Sequence, residues 1–247
     1  MRQTVLLFLL FLTSCTPYGK LTVVNVTDGD TALLSNGRQI RYIGIDTPET
    51  HVKRNGVWTD RVSPFGKEAE ELNRTLVEGK PVRIEFDIQK EDSYGRMLGY
   101  VFVADTFVNK RLLEEGYAVL YTYPPNIAHL QELLEAQQQA RRRKKGLWKD
   151  LPVLNADQAV DNIGDIRTVR DTVSYCFCSQ KACFLYLGQE GTCKIVIFKN
   201  SFDYFSDTCN DICSCYLDTT VEVTGRLREH NGPEIIVNVP EEIGLVN

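Results

Sequence analysis

Beyond its first twenty residues the chain opens on a β-like pattern. Leu21–Val26 is a run rich in β-branched residues and reads as a strand. Asp28-Gly29-Asp30 turns the chain tightly, Thr31–Leu34 carries it on, and Ser35-Asn36-Gly37-Arg38 turns it again. An Asn-Gly pair between apolar-alternating runs is a strong hairpin signal. Gln39–Ile45 is the next strand. In Asp46-Thr47-Pro48-Glu49-Thr50 the proline marks a loop, since it cannot donate to a central ladder. Residues 51–64 are polar and read as irregular. The period then changes: Ala69, Leu72 and Leu76 recur at helical spacing over Phe65–Glu78, and Gly79 ends the helix. Val82–Phe86 and Met97–Val103 read as strands flanking Asp92-Ser93-Tyr94-Gly95-Arg96. Val108–Gly116 reads as a short helix and Leu130–Lys145 as a longer one, stopped by Gly146.

Pro152 and the polar stretch to Gly164 read as a linker, 151–164. Residues 165–247 are β-rich, with strands at Phe184–Leu187, Ile195–Phe198, Thr220–Leu227 and Glu234–Val239. Short strands separated by turns predict a small barrel or sandwich. There is no internal repeat and no low-complexity tract. The pattern is mainly β with some α, an α+β chain of two modules, 20–150 and 165–247.

Residues 1–15 follow another logic. MRQTVLLFLLFLTSC has a positive start, an apolar core from Val5 to Leu12 and small residues after it, the pattern of a secretory leader. Leu12-Thr13-Ser14-Cys15 resembles the bacterial lipobox, which implies lipidation of Cys15; ordinary cleavage near Cys15 is the alternative. Several acyl chains hold a protein on a membrane where one barely does. Thr16 is not the Asp that retains such proteins at an inner membrane. The expected location is therefore the bacterial cell envelope, at the outer membrane where the host has one.

The chain has 247 residues, 43% hydrophobic and 25% charged, which excludes bulk disorder. No apolar run approaches the roughly 20 residues of a membrane-spanning helix. The net charge of −5 excludes binding to nucleic acid by overall charge alone. The charge is uneven: residues 20–150 carry 20 Lys and Arg against 19 Asp and Glu, and residues 151–247 carry 7 against 14.

Asp28, Asp30, Asp46 and Glu49 lie in short turns at strand ends, and Arg41 and Arg96 sit in or beside strands. Acidic residues in turns are common because they suit turn geometry. Arg41 within an apolar strand needs a partner or an edge. Clustered carboxylates supply hard oxygen ligands for Ca²⁺ or Mg²⁺, and paired arginines match the oxygens of a phosphate. Metal, carboxylate base and arginines together are what phosphodiester hydrolysis requires. His51, His129 and His230 fit no such motif and read as surface or packing residues.

The ordered set Asp28-Gly29-Asp30-Thr31, Arg41, Asp46-Thr47-Pro48-Glu49, Tyr94-Gly95-Arg96 and Trp148 after a basic helix resembles the staphylococcal nuclease (thermonuclease) family, from about Leu21 to Trp148. The resemblance implies a five-stranded barrel of the OB type with three helices and a Ca²⁺-dependent endonuclease acting on DNA and RNA without reading sequence. It implies Asp30, Asp46 and the Thr47 carbonyl as Ca²⁺ ligands, and Glu49 as the base for the attacking water. Arg41 and Arg96 would hold the scissile phosphate, with Tyr94, Tyr121 and Tyr123 as substrate contacts. The products would be 3′-phosphorylated ends. Ser93 replaces a lysine of the family's type member, and the loop from His51 to Pro64 differs in length and composition. A relative of this fold that has lost activity and binds only nucleic acid or protein in the envelope is the rival reading.

Arg141-Arg142-Arg143-Lys144-Lys145 reads as a solvated helix end facing the negative C-terminal dipole, or as an auxiliary nucleic-acid contact. The strands of the second module resemble the small OB-fold modules that accompany some nucleases, so a second small β-barrel is expected there. Its negative balance argues against a phosphate-tracking groove and for a protein-contact or spacer role. Cys176, Cys178, Cys183, Cys193, Cys209, Cys213 and Cys215 all lie in it. Behind a secretory leader they read as disulfides with one thiol over, free for an intermolecular bond; a thiolate metal site is the alternative.

Overall fold

The computed structural model describes residues 21–50, 52–54, 57–59, 63–206 and 211–246. Cys15, His51 and Cys209 lie outside the described residues. The first module starts with β1 (Leu21–Asp28), β2 (Thr31–Leu34), β3 (Gln39–Tyr42) and β4 (Gly44–Asp46), with β5 (Val52–Arg54) and β6 (Val57–Thr59) after them. It continues through α1 (Gly66–Val77), β7 (Pro81–Glu85), β8 (Met97–Val103), β9 (Thr106–Phe107), α2 (Val108–Glu114), β10 (Val119–Tyr121), α3 (Leu130–Arg142) and α4 (Leu147–Asp150).

β1 lies between β2 and β7, β2 pairs with β3, and β7 pairs with β8, all antiparallel. β8 then runs parallel to β3, with Ile40 opposite Met97, and closes a five-stranded barrel. Val23, Ala32, Leu34, Ile40, Met97 and Val101 fill it, all fully buried or nearly so. β5 and β6 form an antiparallel hairpin where the polar pattern reads as irregular. The Asn55-Gly56 pair between them is a hairpin signal that charged flanking residues obscure. α2 and α3 stop short of Gly116 and Lys145.

The second module contains β11 (Val153–Leu154), β12 (Ile166–Cys178), β13 (Ala182–Leu187), β14 (Cys193–Phe198), α5 (Phe202–Ser206) and α6 (Ile212–Tyr216). β15 (Thr220–Arg226), β16 (Arg228–Glu229), β17 (Pro233–Ile236) and β18 (Ile243–Leu245) complete it. The sheet runs β16-β17-β14-β13-β12-β15-β18, with β11 alongside β12, and curls around its own core of Val169, Leu185, Ile195 and Val223. β12 is long enough to serve both halves of the curl: Ile166–Thr172 pair with β15, and Val173–Cys178 with β13. Ala156 and Ala159 of the expected linker pack into this core. Disulfides join Cys176 to Cys213 and Cys178 to Cys183, and Cys215 is also disulfide-bonded. The thiol left over, Cys193, is 2% exposed, so it is sealed in the core and not presented for an intermolecular bond.

The modules are pressed together. Val119 and Leu147 of the first pack on Ile166 of the second, with Phe65, Trp148 and Leu151 around them. Glu222 takes Arg170 of its own module and Arg141 across the interface, so Arg141 of the basic run, still half exposed, is also an interdomain tie. Thr122 donates through its N–H and its hydroxyl to Glu242 (both 2.9 Å), and Asn238 Nδ2 donates back to the Thr122 carbonyl at 2.8 Å. Burial pushes the Glu242 carboxyl up to about 7, against the hydrogen bonds it accepts from Thr122 and from the Asn238 N–H. A carboxyl raised in the folded state from 4.5 keeps a proton there that the unfolded chain has released. Its contribution is full below pH 4.5 and is lost as pH rises to 7. The thermal midpoint of the wild type should therefore fall between pH 5 and 8 by more than that of Glu242→Gln. Parallel curves would refute this.

Candidate active site

Asp28-Gly29-Asp30 connects β1 to β2, and the chain leaving β4 runs through Thr47-Pro48-Glu49. α1 presses the two segments together. A Cβ on Gly29 would lie 2.5 Å from Thr47 Oγ1 and 2.9 Å from the Ala69 Cβ of α1; one on Gly66 would lie 2.5 Å from the Glu49 carbonyl oxygen. Only glycine allows either approach. Asn73 of α1, fully buried, donates to the Asp28 carbonyl at 2.9 Å and accepts from the Tyr42 hydroxyl. Gly66→Ala should push the Glu49 backbone aside and cost about 1–3 kcal/mol of stability, measured by denaturant titration. A variant as stable as wild type would show that this contact relaxes freely.

Within this frame the acids and arginines predicted from sequence meet. Asp30 Oδ2 accepts from Thr47 N–H at 3.0 Å and from the Thr47 hydroxyl at 3.1 Å. Arg41, reaching out of β3, contacts Asp30 through Nη1, and its Nη2 donates to Asp46 Oδ1 and to the Ile45 carbonyl, both at 3.1 Å. Asp30, Arg41, Asp46, Thr47 and Glu49 thus share one cluster at the barrel's edge. Arg96 stands at its rim. Its Nε donates to Asp92 Oδ2 at 2.7 Å, while its charge reaches Asp28 and Arg41. Tyr94 is 85% exposed beside it. Tyr121 and Tyr123 lie on and just after β10, whose Val119 is paired with Asp46; Tyr121 is near enough to feel the Asp46 charge.

The residue that sequence reading misses is Arg226, at the end of β15 in the second module. Its Nε donates to Asp46 Oδ2 at 3.0 Å, and its Nη2 donates to the Thr47 carbonyl at 2.7 Å and lies 3.4 Å from Glu49 Oε1. Its Nη1 donates to the Gly164 carbonyl at 3.0 Å, which fixes the guanidinium. Nothing near Arg226 in the chain marks it, since its partners lie about 180 residues away.

Charge balance follows this geometry. Burial disfavours ionised Asp46, but Arg226 and Arg41 outweigh it and hold the carboxyl below its ordinary range. For Glu49 burial prevails over Arg226 and raises the carboxyl above the ordinary range. Burial lowers Arg41, against the pull of Asp46 and Asp28.

The donors suit a hard divalent cation: two aspartates and a backbone carbonyl, all oxygen, with a glutamate beside them. The fit rests on convergence, because Asp46 Oδ2, the Thr47 carbonyl and Glu49 Oε1 all point at one positive group, the Arg226 guanidinium. A carboxylate beside such a group can take a proton from water while Arg41 faces an anion.

Residues 39–150 match the family model described as Staphylococcal nuclease homologue. The chain is 40% identical over 131 residues to a thermonuclease of Staphylococcus hyicus, covering 52% of this chain and 75% of that protein. It is 37% identical over 130 residues to a thermonuclease of Staphylococcus intermedius, covering 51% and 74%. It is 38% identical over 145 residues to endonuclease YncB of Bacillus subtilis (strain 168), covering 54% and 66%. By its closed barrel, by the order of its acids and arginines and by these matches, the chain belongs to the staphylococcal nuclease family.

Proposed function

We propose that this chain is a Ca²⁺-dependent endonuclease that hydrolyses phosphodiester bonds of DNA and RNA. The observation that carries the reading is the meeting of Asp30, Arg41, Asp46, Thr47 and Glu49 in one cluster, from separate turns and strands. Asp30, Asp46 and the Thr47 carbonyl would hold the cation, which when bound neutralises phosphate charge and so lets an anion approach a carboxylate. Glu49 accepts a proton from water as the water oxygen bonds to phosphorus. The bond from phosphorus to the 5′ oxygen breaks, that oxygen takes a proton from solvent water as it leaves, and the product carries a 3′-phosphate. Arg41 and Arg96 stabilise the charge that grows on the phosphoryl oxygens. No base edge is read, so cleavage tolerates any sequence.

The test is plasmid DNA and a structured RNA incubated with the purified protein, with Ca²⁺ or with chelator. Degradation that needs Ca²⁺ is expected; none in either condition would end the enzymatic reading. The leader pattern supports export and lipidation at Cys15, hence an envelope location on a lipid anchor. Labelled palmitate should enter the wild type and not Cys15→Ala; no label in the wild type would reject the anchor.

A further inference from the structure

β16 places a second arginine of the second module against the first. Arg226 enters the acid cluster, Leu227 turns into the module's core, and Arg228 emerges on the same side as Arg226. Its Nη2 is 3.4 Å from the Tyr121 hydroxyl, and its guanidinium lies 5.7 Å from the ring centre. Beyond Arg228 opens a cleft of about 510 Å³ between the modules, the size of a small-ligand site. Tyr121 and Tyr123 form one wall; Phe198, Lys181 and Lys199 form the other. The Lys199 N–H donates to the Lys181 carbonyl at 2.9 Å, so the two lysines stand together at the end of the β13–β14 pair.

Three properties define this cleft. No carboxylate lines it, although the second module as a whole is acidic. Lys181, Lys199 and Arg228 have no ion-pair partner among the described residues. Tyr123 is 50% exposed and Phe198 41%, far more than packing aromatics require. Unpaired cations in a concave wall concentrate positive potential. Free aromatic faces interleaved with cations are the means by which proteins hold single-stranded nucleic acid, bases stacked and phosphates neutralised. The cleft joins the active site through β10, which pairs with the strand carrying Asp46.

We propose that this interdomain cleft is a second binding site for the substrate strand, taking nucleotides that flank the scissile bond in single-stranded form. Lys181, Lys199 and Arg228 contact their phosphates, and Tyr123 and Phe198 stack their bases. The proposal rests on the nuclease reading for the identity of its ligand. It gives the second module a role its net charge argues against, because the cations that matter are gathered on one face.

The experiment measures binding of fluorescein-labelled dT12 and dT3 to the full chain by anisotropy, in chelator so that no cleavage intervenes, at several salt concentrations. Wild type should bind dT12 more tightly than dT3. Lys181→Gln/Lys199→Gln, both exposed positions, should weaken dT12 at least tenfold. It should also lower the slope of log affinity against log salt by about 1.4, from two lost contacts at roughly 0.7 each on a single strand. Phe198→Ser should weaken dT12 severalfold without changing that slope. Unaltered affinity and slope in the double lysine variant would overturn the cleft, whether or not the protein cleaves DNA. So would preference for a duplex of the same length over dT12. Wild type that binds dT12 through these residues yet never cuts with Ca²⁺ would support the cleft and reject the nuclease.

Discussion

Replacing Arg226 with methionine should lower the thermal midpoint in chelator by roughly 10 °C and tighten Ca²⁺ binding at least tenfold. Both follow from where the guanidinium sits. It is the positive charge on Asp46, the Thr47 carbonyl and Glu49. Removing one partner of a buried ion pair costs about 3–5 kcal/mol, since the remaining charge stays desolvated. At roughly 2–4 °C per kcal/mol for a protein of this size, that is a large shift. The same charge repels a cation approaching the same oxygens; at contact and an effective dielectric near 20 the repulsion is on the order of a few kcal/mol. Ca²⁺ should therefore restore the variant's midpoint more than it raises that of wild type. Calorimetric Ca²⁺ titration decides: equal affinity in the two proteins would mean that guanidinium and cation occupy separate places.

Glu49→Gln should reduce single-turnover cleavage of an oligonucleotide by about 10²-fold or more, the usual effect of losing a general base. Stability should hardly change. The side chain is 43% exposed and its contact with Arg226 is long, at 3.4 Å, so this ion pair is worth little. Because burial raises the Glu49 carboxyl, the wild-type rate should begin to fall on acidification at a higher pH than an ordinary glutamate would give. That acidic limb should be missing in the variant. A full-speed variant with the limb intact would assign the proton to another group.

Much of the barrel can be read from the residues because each strand has local markers: Asn36-Gly37 after β2, Pro48 after β4, Gly79 after α1. The acids and arginines were also legible, since they stand in turns with an unusual order. β12 was not. Its Arg167, Arg170 and Asp171 break the apolar run, and they are tolerated because Arg167 pairs with Asp165 and Arg170 with Glu222. Arg226 and the cleft were invisible for a different reason. Both depend on how one module lies on the other, and the sum of charges over residues 151–247 hides the grouping of cations on a single face.

The cluster of Val119, Leu147 and Ile166 has one more consequence. Cutting the chain after Asp150 would strip Ile166 from Val119 and Leu147 and uncover an oily scar beside Trp148. In the same stroke Asp46 would lose the arm that reaches it from the far module. A minimal fragment drawn from family boundaries alone would be a stickier protein, with a differently charged acid cluster, than the intact chain.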